Sequence, residues 1–296
     1  MSVISEYEEG YGEKQFFSYT QNIRAISEGF KNLLSNYEAL LLESDDFDTV
    51  PASFFQKYVT QLMNNPFFIP TERGLQSIFS LGKSSIQNIT DVLFNQLARL
   101  DQITRNFKTD TIVEPLGITY KNINGGGFVK KTNQNDFTSL NHAARGYQST
   151  IPVVLVIKYY TEFRKKKKTF IVEEPEMNLF PAAQQKLVQF LADQVNSHGH
   201  SMLITTHSPY VLTSLNNLIE AHKAGQSHPE EVNKVIDRKH WLNADDVRVF
   251  MLHPDGTCED IFDREGGLIK AEKIDAVSAL LNDQFDNLLE LEFGEK

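Results

Sequence analysis

The chain is 296 residues long and 41% hydrophobic, with a formal charge of -10 and a single cysteine, Cys258. Its length and apolar content suffice for a sizeable core in one large domain or two small ones, while the acidic balance argues against a broad electropositive face, so nucleic-acid contact would be local or carried by a partner. One cysteine forms no internal disulfide, which fits a reducing cytoplasm, and neither the acidic start MSVISEYEEGYGEK nor the short apolar run at 151–157 supports secretion or membrane insertion.

From residue 13 to 43, Phe16, Tyr19, Ile23, Ile26, Phe30, Leu33, Tyr37 and Leu40 recur at three- and four-residue steps, which predicts one long helix. Its large aromatics and Gly29 suit packing on a globular neighbour better than a dimerising coiled coil. SDDFDTVPAS then reads as a loop into a second helix over 54–63, and residues 1–65 together read as a helical lid or arm. The stretch NNPFFIPTERG (64–74) is a turn, a short buried strand and a polar exit, after which Ile86, Ile89, Leu93, Leu97 and Leu100 mark another helix. GITYKNINGGGFVKK has two β-prone arms around Asn124 and its glycines, a hairpin pattern. The helix and hairpin at about 83–140 read as an insertion into a core spanning 66–296. ARGYQSTIPVVLVIKYYTEF predicts a helix with a strongly buried face, and the charged run 164–168 a solvated connector into a strand at 169–172.

Beyond Phe180 the pattern continues as a helix (182–196), the loop SHGH, the strand SMLITT, then His207-Ser208-Pro209 and a further helix. Strand and helix alternating at these spacings predict an α/β fold with a parallel sheet. In the tail, DDVRVFMLHPDGTCEDIFD has extended arms around Pro254-Asp255-Gly256, a hairpin signal, and a final helix is expected from about 268 to 291.

The segment TFIVEEPEMNLFP places Glu173 and Glu174 where an apolar strand ends. In open α/β sheets that edge is where ligands bind. One acid there can hold Mg²⁺ through water, and its neighbour can orient or deprotonate an attacking water. The next strand ends in Thr206-His207-Ser208, which brings an imidazole to the same edge, within reach of a transferring phosphoryl group. Singly, a strand-end acid is commonly just solvated, and a histidine before Ser-Pro can merely cap a helix. The ordered combination is less easily accidental.

These residues carry a resemblance. TFIVEEPEMNLFP looks like the Walker B strand, catalytic glutamate and D-loop of ABC-type, AAA-like P-loop ATPases in the SMC, RecF and OLD (overcoming lysogenisation defect) group, and SMLITTHSPYVL is similar to the switch-histidine strand that follows. The resemblance implies a P-loop NTPase-like parallel sheet with a helical lid insertion and a C-terminal hairpin plus helix. It assigns Glu173 to the metal site, Glu174 as catalytic base, His207 as γ-phosphate sensor and Asn178 to the D-loop. It also implies Mg²⁺ and ATP as ligands. FFIPTERG resembles a further strand of these ATPases, which would put Glu72 and Arg73 near the middle of the fold.

A signature segment gripping the γ-phosphate from the opposite subunit corresponds by position to AARGYQS (143–149). Gly146 and Gln148 match it, whereas Ala144 and Arg145 stand where serines are usual; Arg145 could add charge to the amides of that helix start. The only approach to a phosphate loop is SIFSLGKSS (77–85), where Ser77 replaces the first glycine and apolar side chains crowd the loop, a chance match. The chain therefore reads as the C-terminal part of such an ATPase without its Walker A segment. A separately encoded N-terminal piece, a shortened chain and a degenerate ATPase kept for protein contacts all remain open. Implied partners are a second copy or an ATPase partner chain, and a separate nuclease or effector. A role in phage defence follows only from family analogy.

Overall fold

The computed structural model describes residues 66–75, 91–132, 134–253, 255–271 and 276–293. The helices expected over 13–43 and 54–63, and the segment SIFSLGKSS, lie outside these residues. β1 (Phe67–Ile69) runs into a 3-10 turn (Thr71–Leu75), and α1 (Asp91–Thr104) is the described part of the helix expected from Ile86. β2 (Thr111–Val113), β3 (Ile118–Ile123), β4 (Gly126–Lys131) and β5 (Thr138–Ser139) pair antiparallel in chain order. The β3–β4 turn is Asn124-Gly125, with φ of 51° and 86°; two left-handed residues make the tight turn whose twist matches the strands.

α2 (Arg145–Lys158) continues into a π-helical turn (Tyr159–Arg164), then come β6 (Thr169–Glu173), α3 (Pro181–His198), β7 (Ser201–Thr205) and α4 (Pro209–Gly225). β6 lies between β1 and β7 and parallel to both, with Phe67 opposite Phe170 and Glu173 opposite Thr205. α3 and α4 each open on proline at a first-turn position, where the missing N–H costs nothing. α3 closes on Gly199, whose φ of 64° lets its N–H reach the carbonyl of Val195.

Sequence decides what is central. Ile151 and Val153 to Ile157 in α2 are fully buried, as are Phe67, Ile69, Phe170 and Val172 in the sheet. A helix apolar on all sides must be covered on all sides, and α2 is. Leu97 and Leu100 of α1, with Val113, Tyr120 and Val129 of the antiparallel sheet, join the same cluster, so α1 and this sheet pack into the main core. A second cluster unites Val188 of α3, Leu212 and Ile219 of α4, and the tail residues Ile261 and Ile269.

The tail comprises α5 (Pro229–Val235), the hairpin β8 (Phe250–Leu252) and β9 (Cys258–Asp260), the pair β10 (Phe262–Asp263) and β11 (Leu268–Ile269), and α6 (Ala276–Phe293). The hairpin matches the sequence expectation. The final helix does not begin near Leu268: Leu268 and Ile269 are extended and pair with Asp263 and Phe262. Asn216 of α4 explains this, since its Oδ1 accepts from Ile269 N at 2.7 Å and its Nδ2 donates to Ile269 O at 2.8 Å. A side chain far away in sequence thus takes both backbone groups that a helix would use. Among the described residues no helix is long and apolar enough to cross a membrane.

Candidate active site

β6 delivers Glu173 at its last position, level with Thr205 of β7. The carboxylate Oε2 of Glu173 accepts from the backbone N–H of Thr71 at 3.2 Å, so the exit of β1 orients it. Glu174 leaves the strand with a φ of 40°, a left-handed backbone that is unfavourable for a side chain of this kind and persists only when the surroundings fix it. Two contacts fix it: its N–H donates to Thr205 O at 2.9 Å, and its carbonyl accepts from Arg73 Nη2 at 2.6 Å. In this pose Glu174 Oε1 lies 3.5 Å from Nε2 of His207, just beyond the end of β7. Glu173, Glu174 and His207 therefore share the C-terminal edge of β6 and β7.

Arg73 is the organiser behind that edge. It is fully buried, and its guanidinium donates to four backbone carbonyls: Nε to Ser149 at 2.7 Å, Nη1 to Pro70 at 3.0 Å and Glu173 at 2.6 Å, and Nη2 to Glu174. Burial lowers its pKa to about 10, against the opposing pull of Glu176, Glu174, Glu173 and Glu72. It therefore stays charged near neutrality. The rigid planar fork of arginine suits this pattern in a way that the single ammonium of lysine does not.

Glu176, the third acid of the same segment, has a role that the sequence does not display. It is buried, and its Oε1 accepts from Thr206 Oγ1 at 2.5 Å and from His207 N at 3.3 Å, while its buried Oε2 has no hydrogen-bond partner among the described residues. Beside it, Ser208 Oγ donates to Gln184 Oε1 at 2.5 Å and Gln184 Nε2 donates to Leu179 O at 2.9 Å. The loop that carries His207 is thereby stitched to the turn after β6. The one sequence signal is an acid two residues past the pair, and its partners lie beyond another strand.

The first turn of α2 packs against that same turn from another side. A Cβ on Gly146 would lie 2.7 Å from the carbonyl oxygen of Asn178, which itself has φ 64°. Ser149 Oγ donates to Met177 O at 2.7 Å. Gly146 and Asn178 are thus brought together. Arg145 and Gln148 face elsewhere: Arg145 Nη1 donates to Gln148 Oε1 at 3.1 Å, and Gln148 Nε2 donates to the carbonyls of Ala143 and Asn141. Gln148 is buried and holds the turn before α2, whereas Arg145 is exposed.

Among the described residues no group of three His, Cys, Asp or Glu side chains could hold a metal by itself. Glu173 and Glu174, two carboxylates at one strand end, would fit Mg²⁺, an ion that takes one or two carboxylates and fills its remaining positions with water and substrate phosphates.

A helix-flanked parallel sheet with its polar groups on the C-terminal edge defines an α/β protein of the P-loop NTPase-like fold. The chain matches the AAA ATPase domain family over residues 43–212, more than half of its 296 residues, and belongs to that family. No curated protein matches it. One similar solved structure is the Smc head domain with an extended coiled coil bound to the C-terminal domain of ScpA, from Pyrococcus furiosus, at 12% identity and a TM-score of 0.28. The match covers 66% of this chain and 48% of that one, so this chain spans about half of its length. At that TM-score the likeness carries no weight for function.

Proposed function

We propose that this chain carries the hydrolytic side of an Mg-ATP site in an ATPase of the SMC, RecF and OLD group, with the phosphate loop supplied by another segment or chain. The observation that carries the reading is the pairing of Glu174 and His207 at 3.5 Å on the C-terminal edge of two parallel strands. Family membership makes a nucleotide with Mg²⁺ the expected ligand. Bound Mg-ATP would supply the transferable phosphoryl group and the charge that neutralises it. Glu173, oriented by Thr71, is suited to hold the ion through water; Glu174 to take a proton from the attacking water; and His207 to donate a hydrogen bond to the phosphoryl oxygens. Asn178, exposed on the opposite flank of the same turn, is suited to contact a partner's nucleotide in a homodimer or with a partner ATPase chain, while the buried Gly146 and Gln148 hold the helix start that packs behind it and Arg145 stands exposed at that start.

The test is turnover in the complete assembly together with calorimetry of Mg-ATP binding. Glu174→Gln should keep binding and abolish hydrolysis, and Glu173→Ala should lose Mg²⁺-dependent binding; unchanged turnover in the first variant refutes the reading. A second reading, a non-catalytic interaction module, draws on α6, where Leu281, Phe285 and Leu288 are each more than half exposed at helical spacing. It requires a partner complex that survives Glu173→Ala and needs no Mg-ATP.

A further inference from the structure

We propose that Arg73 is a positioning residue: its guanidinium sets the left-handed backbone of Glu174 and ties that acid to the N-terminal part of α2. The significance for turnover rests on the proposed role of Glu174; the clamp itself does not.

Three facts converge on this assignment. One fully buried side chain bridges three separate elements through backbone carbonyls, namely the exit of β1 (Pro70), the end of β6 (Glu173 and Glu174) and the N-terminal part of α2 (Ser149). Its two shortest bonds, both 2.6 Å, go to the consecutive carbonyls of Glu173 and Glu174. Between those carbonyls lies the Glu174 amide, and Glu174 itself has a φ of 40°. Holding two successive carbonyls toward one planar fork constrains the intervening peptide, and with it the direction in which the Glu174 side chain departs. Carbonyl groups in a regular strand point alternately to opposite sides, so a single guanidinium can collect two in succession only where the chain has left the extended conformation. The strained backbone and the fork are therefore one feature.

The bond to Ser149 O makes the clamp a link as well as a brace. Pro152, inside α2, has no N–H to give to the carbonyl of Gln148 four residues back, and next to that gap the helix is also held from outside, by Arg73 at Ser149 O and by Ser149 Oγ on Met177 O. A displacement of the first turn of α2, where Gly146 meets Asn178, is thus passed to the peptide that aims Glu174 at His207.

The experiment is amide hydrogen exchange on the full chain, comparing the wild type with Arg73→Lys, Arg73→Gln and Gly146→Ala. Arg73→Lys retains the charge and loses the fork. It should speed exchange of the Glu174 amide, now bonded to Thr205 O, about tenfold or more while the Val172 amide changes by less than about twofold. Gly146→Ala, which moves the α2 turn and leaves the guanidinium in place, should raise Glu174 exchange in the same selective way. Equal acceleration at both amides, or none at Glu174 in the folded variants, overturns the proposal. In the turnover assay of the assembly, Arg73→Lys should lower kcat about tenfold or more at unchanged KM. If the wild-type assembly shows no turnover, the ATPase reading fails, and selective exchange at Glu174 still decides the clamp.

Discussion

Gly146→Ala tests the packing of α2 against the turn after β6 with a single methyl group. The added Cβ would lie 2.7 Å from Asn178 O and 3.1 Å from Leu179 Cδ2. The first neighbour is backbone and cannot rotate away; Leu179 O is also held by Gln184 Nε2, so the helix start or the turn must shift. Overpacking of this kind costs about 1–3 kcal/mol, and the better helix propensity of alanine returns up to about 1 kcal/mol. The expected net loss is about 1–2 kcal/mol, roughly a five- to thirtyfold change in the folded-to-unfolded ratio. Urea unfolding should show a lower midpoint with an unchanged slope. Gly74→Ala is the internal control, because among the described residues nothing lies within 4 Å of its Cβ position, and its effect should stay within about 0.5 kcal/mol. Equal midpoints for the two variants would refute the close approach of α2 and Asn178.

Glu176→Ala removes the acceptor of Thr206 Oγ1 and His207 N and should cost about 1–3 kcal/mol by urea unfolding, whereas Glu176→Gln, which keeps an acceptor oxygen, should cost less; equal losses would discount that link. Gly225→Ala would drive a Cβ into the Trp241 ring and should unfold at lower urea with a changed tryptophan emission, while an unaltered midpoint and spectrum would exclude that close packing. The pKa of His200 is lowered, first by burial and then by His198, and that of His240 is lowered first by burial and then by Lys239. The unfolded imidazoles then bind protons that the folded ones refuse, so stability is full above the ordinary histidine pKa and falls as pH drops from about 7 toward 5. Asparagine at 200 can still accept from Lys168 N, as His200 Nδ1 does at 3.1 Å, and His200→Asn should flatten that acid limb in pH-dependent unfolding; an unchanged slope would remove His200 from it.

Much of the fold is written locally. The alternation of β-branched runs with helical stripes marks β6, α3, β7 and α4, and Pro181, Gly199 and Pro209 punctuate them at the positions where the helices start and stop. Asn124-Gly125 announces its hairpin because only residues tolerant of positive φ fit a two-residue turn. Glu173, Glu174 and His207 could be placed on one edge because in parallel strands the C-terminal ends necessarily lie on the same side. Leu268 shows the limit: its segment reads as helical in isolation, yet Asn216 and β10 take the backbone bonds that a helix needs. Arg73 and Glu176 show it at the site. The resemblance of FFIPTERG places Arg73 near the middle of the fold but names no partner for it, the third acid in EEPE reads as an ordinary surface residue, and only the tertiary structure sets the two among carbonyls and hydroxyls from elements up to 101 residues away. Local sequence determines the strands, the helices and the edge where the acids stand. The aim of Glu174 depends on a buried charge whose partners are backbone groups, and backbone groups carry no residue identity for a sequence to display.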